Sequence, residues 1–174
     1  PNVMNEIGRL REIAFRRAGG GTGKEVDIDS YDTAKTPYKQ LIVWDPVEKE
    51  VTGGYRFIDL NQLTIEERRE LKLATQGLLN FSEKFISEYL PYTIELGRSF
   101  VQPNFQSGSA ARKTLFALDN LWDGLGSLLV NNPGIKYFFG KVTMYTHFDK
   151  YARDLILYFM NYHFEDSEKL AYPK

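Results

Sequence analysis

Thr93-Ile94-Glu95-Leu96-Gly97-Arg98-Ser99-Phe100-Val101 decides how this chain is read. Its β-rich ends predict a buried strand, yet its middle carries a carboxylate, a guanidinium and a glycine. Opposite charges are costly to bury unless they are paired or used. A glycine inside a strand marks a bulge or a close backbone approach. Strict alternation sets Glu95 and Arg98 on opposite faces, whereas one extra residue at Gly97 brings both to the same side. Chemistry is expected here. Downstream, Gln106-Ser107-Gly108-Ser109-Ala110-Ala111-Arg112-Lys113 opens a long helix. Small residues at the entry and two cations in the first turn fit an anion cradle as well as they fit a plain Ser-capped start.

Working outward, the chain reads as one mixed domain. Ile7, Leu10, Ile13 and Ala14 recur at helical spacing, with Arg9, Arg11, Glu12 and Arg16 on the other face. Tyr38–Trp44 and Val51–Ile58 are β-rich runs around the turn signal Asp45-Pro46-Val47-Glu48-Lys49. Thr64 and Glu67 have the spacing of a capping box. Phe81 to Leu90 reads as an aromatic connector broken at Pro91. Ser109 to Val130 predicts the longest helix, Lys141 to Tyr145 a short strand, and Asp149 to Phe164 a last helix with an apolar middle. That order gives an α/β (α+β) domain over residues 1–174.

Composition removes several classes. The 174 residues are 43% hydrophobic and 26% charged, which is globular. A net charge of -1, with no dense Lys/Arg block, gives no support for a nucleic-acid surface. There is no cysteine, which removes disulfides, thiolate zinc sites and cysteine nucleophiles and fits a reducing compartment. The longest apolar run, Leu155 to Met160, is far short of a membrane span, and no leader pattern precedes the first helix.

Three suggestive motifs fail on inspection. Gly19-Gly20-Gly21-Thr22-Gly23-Lys24 lacks the first glycine and the final Ser/Thr of a phosphate-binding loop, and trails a helix, so a flexible loop is the better reading. Asp27, Asp29 and Asp32 lack the glycine and distal glutamate of a calcium loop. The two histidines, His147 and His163, have no carboxylate at ligand or triad spacing.

Four blocks in order give the chain a family likeness from about Arg9 to Phe148. They are Arg9-Leu10-Arg11-Glu12-Ile13-Ala14-Phe15-Arg16, Asp27-Ile28-Asp29-Ser30-Tyr31-Asp32, Gly53-Gly54-Tyr55-Arg56-Phe57, and Glu95-Leu96-Gly97-Arg98-Ser99-Phe100-Val101-Gln102-Pro103. The chain resembles the GNAT acyltransferase superfamily, and within it the hemolysin-like branch with ornithine-lipid and glycine-lipid N-acyltransferases. Acyl-homoserine-lactone synthases are a more distant likeness. The resemblance implies a mostly antiparallel GNAT-like sheet flanked by helices, here truncated at both ends as a fragment of a longer protein.

The resemblance also implies a reaction: an amine attacks a fatty acyl thioester directly, so no cysteine or histidine is needed. Alignment of the partners can supply about 7–11 kcal/mol. Glu95 is then the candidate base, with Arg98 orienting it or gripping the carboxylate of an amino-acid acceptor. A backbone N–H between Leu96, Gly97 and Ser99 would hold the oxyanion. Gly108, Arg112 and Lys113 would meet the phosphopantetheine of the donor. Because Phe105 stands where the superfamily's phosphate loop has Gln or Arg, acyl carrier protein is favoured as donor, with acyl-coenzyme A the other choice. Arg56, Asp29 and Asp32 would bind the acceptor side. The alternative for these residues is internal ion pairing, Glu95 with Arg98 and Asp32 with Arg56. The implied setting is cytoplasmic, with peripheral contact at the inner membrane face. Rival readings are a homoserine-lactone-type signal synthase, a membrane-perturbing protein, and a non-catalytic acyl-carrier-binding domain.

Overall fold

A computed structural model describes residues 2–105 and 111–174, apart from the side chains of 105 and 111–115. Its helices are α1 (Val3–Arg17), α2 (Ser30–Thr33), α3 (Ile65–Glu70), α4 (Ala111–Asn131) and α5 (Lys150–His163). Its strands are β1 (Lys39–Asp45), β2 (Glu50–Asp59), β3 (Leu79–Phe81), β4 (Thr93–Val101), β5 (Tyr137–Gly140) and β6 (Ala171–Pro173). The main sheet runs β1-β2-β4-β5, antiparallel except for the parallel β4–β5 pair. The expected mixed, mostly antiparallel architecture is what the chain forms.

Neighbouring residues of single strands show which layer lies where. Ile42 packs with Ile7, Leu10 and Ala14 of α1, while Leu41 packs on the α4 side at Gly124. Phe57, Ile94 and Leu96 join the α4 layer through Leu128 and Ile135. Period-2 alternation therefore sends Arg56, Glu95 and Gly97 to the α1 face. Gly53 is required by close packing: a Cβ there would lie 2.9 Å from the Phe100 carbonyl oxygen.

Two expectations shift. The short strand is Tyr137–Gly140, not Lys141–Tyr145, because pairing to β4 is used up at Gly140. The connector after Phe81 is helical from Phe85 to Tyr92, with Phe85 and Leu90 in the core. After α5, β6 pairs antiparallel with β3 in a small second sheet. Among the described residues no helix is long and apolar enough to cross a membrane.

Candidate active site

The strand that carries Glu95 and Arg98 is bent, and its register shows how. Gly54 faces Phe100 and Arg56 faces Gly97, so Tyr55 alone opposes Arg98 and Ser99. This is a one-residue bulge. It falls at Arg98–Ser99, one step later than expected, and Arg98 takes the left-handed φ of 50° while Gly97 does not. An arginine adopts that conformation only where its surroundings hold it. With the extra residue, Glu95, Gly97 and Arg98 all lie on the α1 face. A Cβ on Gly97 would meet nothing within 4 Å, so the face is open at that point. Pairing between β4 and β5 stops at Leu96 and Gly140, and the two strands part where the bulge begins.

Six charges meet over this face. Arg56 Nη1 donates to Asp29 at 2.7 Å and to Asp32 at 3.1 Å. Arg11 Nη1 reaches Asp32 at 3.2 Å and the Asp27 carbonyl at 3.3 Å, and its Nη2 donates to Gln40. Arg98 Nη2 lies 3.2 Å from Asp27 and 3.5 Å from Asp29. Asp29 and Asp32 are in place because together they form the capping box of α2. Burial would raise the Asp29 carboxyl, but the Arg56 hydrogen bond and charge outweigh it and hold it below its ordinary range. Asp27 goes the other way, raised chiefly by burial. The guanidinium of Arg56 also lies 5.4 and 5.2 Å from the ring centres of Tyr31 and Tyr38, and Arg98 lies 5.7 Å from that of Phe15.

The network is graded from sealed to open. Arg11, Asp32, Asp27 and Arg56 are buried, whereas Asp29 and Arg98 are 29% and 31% exposed. One anion and one cation thus face solvent, loosely joined at 3.5 Å.

Glu95 is not paired with Arg98, which corrects the expected ion pair and the orienting role it gave Arg98. The bulge puts both on one face, but Asp27 and Asp29 of the acidic loop take the Arg98 guanidinium. The carboxylate of Glu95, only 1% exposed, instead accepts from Thr75 N–H at 2.9 Å, Thr75 Oγ1 at 2.6 Å and the Tyr38 hydroxyl. That hydroxyl in turn accepts the Ala74 N–H at 3.0 Å. Burial, and then the nearby Glu95 charge, raise the Tyr38 phenol far above its ordinary value, so it stays a donor. The other pair, Asp32 with Arg56, forms as anticipated.

Leu96 points to the α4 layer and not to the bulge face, so only its backbone is available there. Ser99 is exposed. Gly108 and the side chains of Arg112 and Lys113 lie outside the described residues. Arg11, Glu12, Tyr38 and Thr75 were missed as site residues. Arg11 and Glu12 were assigned to the outer face of α1, yet both are buried. The available signal was the acidic loop itself, three aspartates that needed counterions.

Glu12 also changes the reading of the glycine-rich loop. It accepts from Thr22 N–H at 2.8 Å, Thr22 Oγ1 at 2.7 Å and Gly23 N–H at 2.9 Å, besides Arg16. The loop is tied down. The Thr22 hydroxyl, outweighing desolvation, leads the donors that hold the Glu12 carboxyl down to about 2 from an ordinary 4.5. Its stabilising contribution is therefore complete above pH 4.5 and lost as pH falls through about 2. Amide protection at Thr22 and Gly23 should fall across that window, and Glu12→Ala, which removes both acceptor oxygens, should abolish the protection already at neutral pH. Exchange rates read by NMR check both.

The GNAT acetyltransferase domain family matches residues 10–115. A protein named glycine N(alpha)-acyltransferase from Phocaeicola vulgatus is 60% identical over 173 residues, 99% of this chain and 53% of that protein. One of the same name from Bacteroides thetaiotaomicron is also 60% identical over 173 residues, again 99% of this chain and 51% of its own length. The chain thus spans about half the length of the curated relatives it matches. No solved structure matches. The fold, the bulged Glu-Leu-Gly-Arg strand and the matched span agree, and the chain belongs to the GNAT acetyltransferase domain family.

Proposed function

We propose that the full-length protein transfers a fatty acyl group from a phosphopantetheine thioester to the amine of glycine, as a step toward an amino-acid-containing membrane lipid. The observation that carries this is the bulge beside the parting of β4 and β5, with a half-open guanidinium and a half-open carboxylate on the same face. The names of the two relatives supply the acceptor. Acyl carrier protein is the donor in this reading, with acyl-coenzyme A as the substitute the assay must compare. Gly108, Arg112 and Lys113 receive the phosphate of its arm.

The thioester arm enters where β4 and β5 separate, and its carbonyl lies over Gly97, where no side chain intervenes. Backbone N–H groups of the bulge, from Leu96 to Ser99, serve the developing oxyanion; a preorganised donor of this kind is worth about 3–4 kcal/mol. Arg98 grips the acceptor carboxylate. Asp29, the exposed acid next to it, receives the amine as ammonium, while Asp32 and Arg56 fix Asp29 and Arg98 in place. The bond formed is amine nitrogen to acyl carbon and the bond broken is carbon to sulfur. Starting from the ammonium, the nitrogen gives up two protons, one released before attack and one to the departing sulfur, so the donor arm leaves as its free thiol. Glu95 takes the first of these protons only if its Thr75 cap opens, and the turnover of a folded Glu95→Gln protein tests this. The product is amphiphilic, which places the reaction at the inner membrane face.

The test incubates full-length protein with glycine and either acyl carrier thioester or acyl-coenzyme A, and looks for N-acylglycine by mass spectrometry. Arg98→Lys should raise KM for glycine about tenfold or more while changing kcat less, because a lysine cannot make the two-pronged contact. An unchanged KM removes Arg98 from acceptor binding. Absence of acylglycine with either donor overturns the reading.

A further inference from the structure

Helix α5 is bare. It buries none of its residues. Six successive apolar side chains, Leu155 to Met160, are each between 44% and 68% exposed. At about 100° per residue, six successive positions pass all the way round a helix. The exposure is therefore on every side and not along one stripe. A helix apolar all round belongs in an interior, and one of this length is marginal alone in water.

The helix is nevertheless tied at both ends. Asp149 caps it by accepting the Ala152 N–H at 2.8 Å. Beyond its far end, Asp166 accepts the N–H of Leu170 at 2.8 Å, and β6 then pairs with β3. A largely apolar cleft of about 330 Å3, lined by Val142, Met144, Phe148, Ala152 and Ile156, opens beside it. Strand β5 is an edge of the main sheet among the described residues.

The shape of the exposure selects the cover. A bilayer surface or a single dimer face covers one side of a helix and leaves the other wet. Lys150 and Arg153 against Asp154 also give no basic face to draw α5 to anionic lipid. A covering that reaches several sides calls for chain that wraps. The relatives supply it: they match this chain at 60% identity over 173 residues, and those residues make up only 53% and 51% of them.

We infer that α5 is an interior helix of the full-length protein, enclosed on more than one side by the part of the longer chain outside these 174 residues. This stands apart from the acyl-transfer reading, since it concerns packing and not the bulge face.

Leu155 and Leu157, about 200° apart around the helix, are the probes. In the full-length protein, Leu155→Cys, Leu157→Cys and the exposed-turn control Val47→Cys are treated with a maleimide, and each site is read by peptide mass mapping. Both helix positions should label slower than Val47→Cys by on the order of 100-fold, rising to its rate in denaturant. Labelling at the control rate at either position overturns the inference. So does protection that appears only with phospholipid vesicles, which marks a membrane, or only as concentration rises, which marks a second copy. Should either cysteine variant fail to fold, amide exchange of the unaltered full-length protein decides. Residues 153–161 should exchange among its slowest amides, and fast exchange there counts against enclosure.

Discussion

Arg56→Met should lower the unfolding free energy by about 3–5 kcal/mol, the range seen when one partner of a buried ion pair is removed. The guanidinium is buried on the sheet face and serves two carboxylates, Asp29 at 2.7 Å and Asp32 at 3.1 Å. Methionine fills most of the space, so little of the loss comes from a cavity. What remains is Asp32, sealed, with Arg11 as its one guanidinium at 3.2 Å. Arg56→Lys should recover only part of the loss, because an ammonium is a point charge and cannot span both carboxylates. Denaturant midpoints at unchanged slope measure this. A loss under about 1 kcal/mol for Arg56→Met, the scale of a surface pair, would show that the network is hydrated and not structural.

Glu95→Ala should cost at least about 3 kcal/mol, because each buried donor left without an acceptor costs about 1–3 kcal/mol. Three are stranded: the Thr75 N–H, the Thr75 hydroxyl and the Tyr38 hydroxyl. The Tyr38 hydroxyl is the least able to adapt, since it already accepts the Ala74 N–H. Glu95→Gln keeps the volume and one oxygen and should lose less, about 1–3 kcal/mol. Comparing stability with turnover separates the two roles open to this residue. If Glu95 is a strut, Glu95→Gln should retain turnover at temperatures where it stays folded. If it is the base, turnover should collapse while the protein remains folded. A Glu95→Ala protein as stable as the parent would mean that the carboxylate is not the acceptor that closes this corner.

Periodicity was enough for the longer helices and for β1, β2 and β4, though not for α2, β3, β5 or β6. The apolar spacing of α1 and α4, the hairpin turn at Asp45–Lys49 and the capped start at Thr64 are local signals, and the chain obeys them. The bulge was legible as well, because glycine and arginine in a strand announce a broken alternation, although its position moved by one residue. Partner choice was not legible. Arg11 and Glu12 sit on a helix whose polar spacing looks like a wet surface. They are buried because the Asp27–Asp32 loop and the Thr22–Gly23 turn fold over them with matching groups. Glu95 finds Thr75 and Tyr38, 20 and 57 residues away, and no spacing rule connects them. Strand β5 forms at Tyr137–Gly140 and not at Lys141–Tyr145 for a similar reason, since where a strand forms is set by the neighbour available for pairing.

By itself the sequence determined the main helices and strands and the strand on which the chemistry was expected, because helix and strand periods and glycine chemistry act over a few residues; the mostly antiparallel sheet was implied by the family resemblance. Only the tertiary structure decided that Arg98 turns to Asp27 and Asp29 instead of Glu95, and that Glu95 is closed in by hydroxyls. Desolvated charges settle on the nearest partners that satisfy them, and which partners are nearest follows from how the loops pack over the sheet.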